Sequence, residues 1–293
     1  MPCAKEVAPN KKVSLVYTIK KEVSRTGVGL FTGIEAKITL SPLPEKTGIF
    51  FQRTDLPGSP KFRLSLSLVQ GTPRCTIIGL EGVSVQTVEH LMAALYAYGI
   101  GNLLISLSGP EVPIFDGSSL PFVEMLEEAG VVFQEERDIY VLKKPVSFSL
   151  GEIHIVAIPS DECRISYTLH YPNSECIGTQ FFSVPLQKEA FVKEIAPCRT
   201  FSVYEEIAPL IEKGLLKGGS LENAVVIKDN QVMNPEGLRR PNEMVRHKIL
   251  DMIGDLCLMG ISFSAHILAI RSGHHANNAF ANELLNHFKR ESL

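Results

Sequence analysis

Short apolar runs set the pattern of the first third of the chain. VSLVYTI (13–19), EAKITL (35–40) and CTIIGL (75–80) are rich in β-branched residues and bounded by glycine, proline or asparagine, which predicts strands. The period changes at 87–98, where a helix is predicted with Thr87 as N-cap and Gly99 as its stop. NLLISLSG (102–109) reads as a buried strand. A second helix fits PFVEMLEEAG (121–130), with Ser118 or Ser119 before it and Gly130 after it.

The charged stretch Gln134–Asp138 marks a boundary and divides the chain into 1–136 and 137–293. Beyond it the same order of elements recurs. Strands are predicted near 139–143, 153–158 and 164–171, then helices near 187–195 and 203–213. A strand at 224–229 precedes a long helix at 242–259, a strand at 265–271 and a terminal helix at 276–290. The halves share an order of elements but no residue-level repeat. Strands and helices are segregated within each half, which predicts an α+β fold with helices covering sheets.

Composition narrows the class. The chain has 293 residues, 45% hydrophobic and 21% charged, with a net charge of −3, so it carries no basic footprint for nucleic acid. The opening residues MPCAKEVAPNKK have no apolar core of a secretory signal. Six scattered cysteines (Cys3, Cys75, Cys163, Cys176, Cys198, Cys257) form no CxxC pair and read as reduced thiols. The apolar run Leu256–Ile270 is too short to span a bilayer, so no transmembrane segment is expected. Together these features predict a soluble, cytoplasmic protein.

The segment NEMVRHKILDMIGDLCLMG (242–260) carries the most chemistry. His247, Asp251 and Asp255 recur every four residues and share one face of a helix that is otherwise apolar nearly all round. Carboxylates out of water need pairing, hydrogen bonds or a metal. Two readings stand: a buried salt bridge to Arg246 or another cation, or a metal site with His247 and Asp251 one turn apart. In TVEHLMAAL (87–95), Glu89 is either a first-turn acid facing the helix dipole or a general base. His90 is either a satisfied core histidine or a third ligand. Three N/O ligands would leave a position for a water acidified by the metal, whose proton a neighbouring carboxylate can take. In SGHHANNAF (272–280), His274 or His275 is either a loop histidine or a general acid, with Asp255 as its natural carboxylate partner.

TVEHLMAAL, PEVPIFDGSS (110–119), CRTFSV (198–203), GGS (218–220), VRHKILDMIGDL (245–256) and SGHHANNAF, in this order, resemble the motifs of the UDP-3-O-acyl-N-acetylglucosamine deacetylases. These are zinc amidases of lipid A biosynthesis, and so of lipopolysaccharide assembly, in Gram-negative bacteria. The resemblance runs from GVGLFTG (27–33) to the last helix. It implies two similar domains packed as a sandwich with the active site at their interface. It places the zinc ligands on His90, His247 and Asp251, the general base on Glu89, the general acid on His274 and the orienting carboxylate on Asp255. Thr200 falls on the threonine that stabilises the oxyanion, and Lys248 on a lysine near the substrate's phosphates and reacting carbonyl. Arg271 falls on a basic residue that meets the diphosphate, and Phe201 on an aromatic near the nucleotide sugar.

The resemblance also implies an acyl-chain passage in the second domain. There Ile207, Gly219, Ser220 and Ala224 are candidate wall residues, although a helical stripe such as Val203, Ile207, Leu210 and Ile211 otherwise reads as core packing. The family's turn usually reads GLHTG, and here Phe31 replaces the histidine. The implied function is removal of the N-acetyl group from UDP-3-O-(3-hydroxyacyl)-N-acetylglucosamine, giving acetate and a free 2-amino sugar. The cofactor is one Zn2+, with Fe2+ compatible with the same donors, and the expected enzyme is monomeric. A zinc amidohydrolase acting on another nucleotide sugar, or a non-catalytic nucleotide-lipid binding protein, stand as alternatives.

Overall fold

In the strand Glu35–Pro42, Ala36, Ile38 and Leu40 are buried while Glu35 and Lys37 face solvent, the period-2 pattern of a sheet with one dry face. The computed structural model describes residues 12–291, so Cys3 lies outside it. That strand is second in a five-stranded sheet ordered Val23–Val28, Glu35–Pro42, Leu103–Leu107, Ile49–Arg53 and Lys61–Arg63. The last strand in sequence enters the middle. Leu103–Leu107 runs antiparallel to Glu35–Pro42 (Ile38 opposite Leu107) and parallel to Ile49–Arg53 (Ile49 opposite Leu103).

The second half repeats this step for step. Its sheet is ordered Val146–Leu150, Ile153–Ile158, His266–Ile270, Arg164–Tyr171 and Gly178–Pro185. Here His266–Ile270 is threaded between two hairpins, antiparallel to one and parallel to the other.

The helices are α1 (Glu89–Ala97), α2 (Leu120–Ala129), the short α3 (Lys188–Ala190) running into a π-turn Phe191–Ile195, α4 (Tyr204–Glu212), α5 (Glu243–Cys257) and α6 (His274–Glu291). α2 packs on the first sheet, α5 and α6 on the second, and α1 lies against both α2 and α5. Two helical layers thus face each other between two sheets, the α+β sandwich expected. Each half also carries a small three-stranded sheet. In the first it is Val69–Gly71, Ile77–Leu80 and Val83–Gln86; in the second it is Phe201–Val203, Val225–Lys228 and Gln231–Val232, with α4 between its first two strands. Among the described residues no helix is long and apolar enough to cross a membrane, and Cys75, Cys163, Cys176, Cys198 and Cys257 are free thiols.

Several elements differ from expectation for identifiable reasons. Gln134–Asp138 is not a break in structure but the middle of one long strand, Val131–Val141. Its buried charge is satisfied: Glu135 accepts from Arg137, from the Asn102 amide at 3.3 Å and from the Lys46 backbone N–H at 3.2 Å. This strand pairs antiparallel with Val13–Ile19 and parallel with Ser262–Ser264, tying the two halves together. Thr87 does not cap α1. It takes φ +59°, Val88 occupies the cap position, and the Thr87 hydroxyl donates to Glu111 instead. Gly99, at φ +63°, ends the helix as expected. α6 begins at His274, two residues earlier than predicted.

The crossing of α1 and α5 needs one glycine. A Cβ on Gly254 would overlap the carbonyl oxygen of Glu89, so α5 presses its bare backbone against the first residue of α1. At an ordinary helical position, Gly→Ala stabilises by about 1 kcal/mol. At Gly254 the sign should reverse, with Gly254→Ala losing about 1–3 kcal/mol in urea unfolding through overpacking; a stabilised variant would show that the crossing is loose.

Candidate active site

The crossing brings together residues far apart in sequence. His90, in the first turn of α1, meets His247 and Asp251, one turn apart on α5, and one ligand atom from each lies within 4.8 Å of the others. His247 Nε2 is 3.2 Å and His90 Nε2 3.9 Å from Asp251 Oδ1. The two imidazole rings stand edge to face, 5.0 Å between centroids. All three side chains are buried.

The surroundings orient this cluster. His247 Nδ1–H donates to the Cys198 carbonyl at 3.0 Å, which turns Nε2 towards Asp251. His90 Nδ1 is buried and has no hydrogen-bond partner among the described residues. Burial, and then the neighbouring His247, pull the His90 pKa down to about 3, so its ring is neutral at physiological pH. Lone pairs of two imidazoles thus converge on a carboxylate. That donor chemistry fits a divalent cation with N/O ligands.

A second group flanks the first. His274 Nδ1 is 3.0 Å from Asp255 Oδ2, and its Nε2 is 3.7 Å from Glu89 Oε1 and 4.0 Å from Asp251 Oδ2. Burial alone would lower the His274 pKa, but the carboxylates of Asp255, Glu89 and Asp251 outweigh it and raise it to about 9. Burial raises Glu89 to about 7, with Asp255 and Asp251 adding to the rise and His274 opposing it. Asp251 stays ionised despite burial, because Lys248, His247 and His274 hold it well below the usual carboxylate range. Lys248 Nζ donates to Asp251 Oδ2 at 2.7 Å, and this carboxylate outweighs burial to raise the lysine.

These residues open into a cavity of about 670 Å³. Its wall includes Glu89, His90, Thr200, His247, Lys248, Asp251, Arg271 and His274. Arg271 reaches it from a left-handed turn (φ +55°) after the strand His266–Ile270 and pairs with Glu152 at 3.0 Å. Thr200 N–H donates to Gly117 and its carbonyl accepts from Val225, which leaves the hydroxyl as its remaining polar group. Phe201 stands edge-on to both His247 and Tyr171.

A second cavity of about 430 Å³ shares Leu30, Phe31, Arg74, Thr200 and Phe201 with the first. It runs between α4 and the small second sheet, and Ile207, Gly219, Ser220 and Ala224 all line it. Its walls are mainly apolar and partly exposed: Ile211, Leu221 and Met233 are 50%, 40% and 44% accessible.

Several supporting groups were not predicted. Thr76 donates its backbone N–H to Glu89 at 3.1 Å and its hydroxyl to Asp255 at 2.6 Å, fixing both carboxylates. Asn277 Nδ2 donates to Asp255 at 2.9 Å; two asparagines three and four residues after His274 were the available signal. Arg199 is fully buried and donates its backbone N–H and Nε to Glu243, both at 2.9 Å, pinning the segment 198–200 to the start of α5. The Cys198 carbonyl had no signal at all, since any residue type supplies one.

Two imidazoles and a carboxylate with convergent lone pairs, at the floor of a cavity and beside a raised carboxyl and a charged imidazole, define a metal-dependent hydrolase. Residues 16–286 match the family model described as UDP-3-O-acyl N-acetylglycosamine deacetylase. The UDP-3-O-acyl-N-acetylglucosamine deacetylase of Chlamydia pneumoniae is 48% identical over 270 residues, covering 92% of this chain and 96% of that protein. Those of Chlamydia trachomatis serovar L2 and Chlamydia felis are 45% and 46% identical, covering 94% and 92% of this chain and 96% of each relative. The chain belongs to this family of metal-dependent deacetylases.

Removing His247 should abolish metal binding by the cluster. His247→Ala, assayed by metal analysis after dialysis, is expected to fall from about one divalent ion per chain to well below one, as three-ligand sites demand. Glu89→Gln should retain the ion, and normal metal content in His247→Ala would refute the ligand assignment.

Proposed function

We propose that this chain removes the N-acetyl group from UDP-3-O-(3-hydroxyacyl)-N-acetylglucosamine, releasing acetate and leaving the 2-amino sugar. The observation that carries the reading is the junction of the two cavities at Thr200 and Phe201. One holds the polar cluster, and the other is an apolar channel suited to an acyl chain. The first half, up to the shared strand Val131–Val141, would supply Glu89, His90 and the Leu30–Phe31 side of the passage, and the second half His247, Asp251, Asp255, His274 and the rest of it, a division supported by the connectivity common to both sheets.

His90, His247 and Asp251 would hold the ion, most naturally Zn2+ given two imidazoles and one carboxylate, with Fe2+ compatible. Such an ion supplies a Lewis acid that acidifies water and polarises a carbonyl. Glu89, poised near neutrality by burial, takes the proton of the attacking water. The Thr200 hydroxyl and Lys248, both on the cavity wall, would stabilise the negative charge on the acetyl oxygen as the carbon becomes tetrahedral. His274, held cationic by Asp255, gives its Nε2 proton to the departing amine. Arg271, Lys248 and Phe201 line the same cavity, and on this reading Arg271 would meet the diphosphate and Phe201 the sugar. The acyl chain follows Ile207, Gly219, Ser220 and Ala224 outwards. The same reading takes the enzyme as monomeric and cytoplasmic, with the acylated UDP-sugar as its partner and no nucleic acid.

Acetate release from the acylated UDP-sugar should exceed that from UDP-N-acetylglucosamine by orders of magnitude, whereas equal rates would point to another nucleotide sugar. Glu89→Gln and His274→Ala should each lose about 10²- to 10⁴-fold in kcat, the span of general acid–base catalysis.

Activity should rise as pH climbs through about 7, where Glu89 sheds its proton, and fall as pH passes about 9, where His274 loses the proton it must donate. The charge of a bound ion displaces both limbs downwards. A profile that keeps rising above pH 10 would exclude His274 as the acid.

A further inference from the structure

Glu111 touches none of the reacting groups, yet its carboxylate is 1% exposed and heavily bonded. Oε1 accepts from the Phe31 N–H at 3.0 Å and the Thr87 hydroxyl at 2.9 Å. Oε2 accepts from the Thr32 N–H at 2.8 Å, the Thr32 hydroxyl at 2.7 Å and the Gln86 amide at 3.1 Å. One side chain therefore holds two separate pieces of chain.

The first is the turn 29–33. Its Leu30 and Phe31 form part of the wall common to both cavities. The far side of the turn is bonded between two wall residues of the passage, Leu216 and Gly219: the Leu30 carbonyl accepts from Gly218 N–H at 3.0 Å and the Phe31 carbonyl from Lys217 N–H at 3.3 Å. The fit leaves no room for side chains, since a Cβ on Gly29 would overlap Glu111 and one on Gly218 would overlap the Gly29 carbonyl.

The second piece is Thr87, a β-branched residue at φ +59°, a conformation that its side chain disfavours. Its bond to Glu111 is what the backbone gains there. The chain runs from this turn through Val88 alone into Glu89 and His90, the first two residues of α1.

We propose that Glu111 is a positioning residue that couples the wall of the acyl passage to Glu89 and His90, so that acyl-chain binding is expressed in kcat. The proposal rests on the acylated substrate of the preceding reading. A chain lying in the passage packs on Leu30 and Phe31 and steadies their turn. Through Glu111 it then steadies Thr87 and the start of α1. Binding energy from a part of the substrate that does not react is thereby spent on aligning the groups that do.

Glu111→Gln tests this, because a carboxamide nitrogen cannot accept hydrogen bonds and leaves several of these donors unmet. On the acylated substrate kcat should fall about 10- to 100-fold, the usual effect of removing an outer-shell partner. KM and metal content should change little, and the rate on UDP-N-acetylglucosamine should change much less than kcat on the acylated substrate. Thr87→Val should reproduce the loss and Thr87→Ser, which keeps the hydroxyl, should restore it.

Amide hydrogen exchange supplies a readout without substrate. In Glu111→Gln, amides at 29–33, 217–218 and 87–90 should all exchange faster. Acceleration confined to 29–33, or an unchanged preference for the acylated substrate, would overturn the proposal, as would parallel loss on both substrates tracking a lowered melting temperature. If the unsubstituted enzyme shows no acyl preference, the functional reading fails, while the exchange pattern still decides whether Glu111 joins the two segments.

Discussion

The structure depends on one close crossing, where the bare backbone of Gly254 in α5 lies against the carbonyl of Glu89 in α1. Each helix belongs to a different half of the chain, and each half has its own sheet to pack on. Neither half alone contains the full donor set. With α1 and α5 in contact, His90 stands beside His247 and Asp251, and Glu89 beside His274. Hydrophobic burial along the two helices, through residues such as Leu91, Met92, Leu250 and Ile253, holds the crossing shut beneath the cavity that its polar groups line.

Burial of these side chains gives the site its electrostatic character. Carboxylates and imidazoles in a buried seam interact far more strongly than in water, and each constrains the next. Asp255 is held by Thr76 and Asn277 and in turn holds His274 cationic, while Asp251 answers Lys248. Glu89, surrounded by other carboxyls and removed from solvent, is left near neutrality, where a base is most useful. Such a cluster is costly to fold, and the neighbouring Arg199–Glu243 pair shows the same logic: two buried charges persist because hydrogen bonds to the backbone satisfy both.

The face carrying His247, Asp251 and Asp255 was readable because helical geometry alone puts residues four apart in a row. Glu89 and His90 stood out as a polar pair in an apolar helix. Their meeting was not readable from periodicity; only the ordered motifs implied it. Other features had no residue-type signature. The Cys198 carbonyl that orients His247 and the Thr76 amide on Glu89 are backbone groups. The strands Val23–Val28 and Gly178–Pro185 carry a weak sequence signal because glycine and polar residues blur their alternation. The charges at 134–138 suggested a boundary because their partners, Asn102 and Lys46, come from distant parts of the chain. Glu111 has no sequence signature of its own, because its donors come from two segments distant along the chain.

The most direct test of the shared seam is anomalous X-ray scattering from crystals of the metal-loaded protein. A single strong peak bounded by His90, His247 and Asp251, with Glu89 and His274 at its open side, is the predicted result. A peak held by Asp255 and His274, or one that leaves His90 Nδ1 and Nε2 both without a partner, would contradict the account at its root.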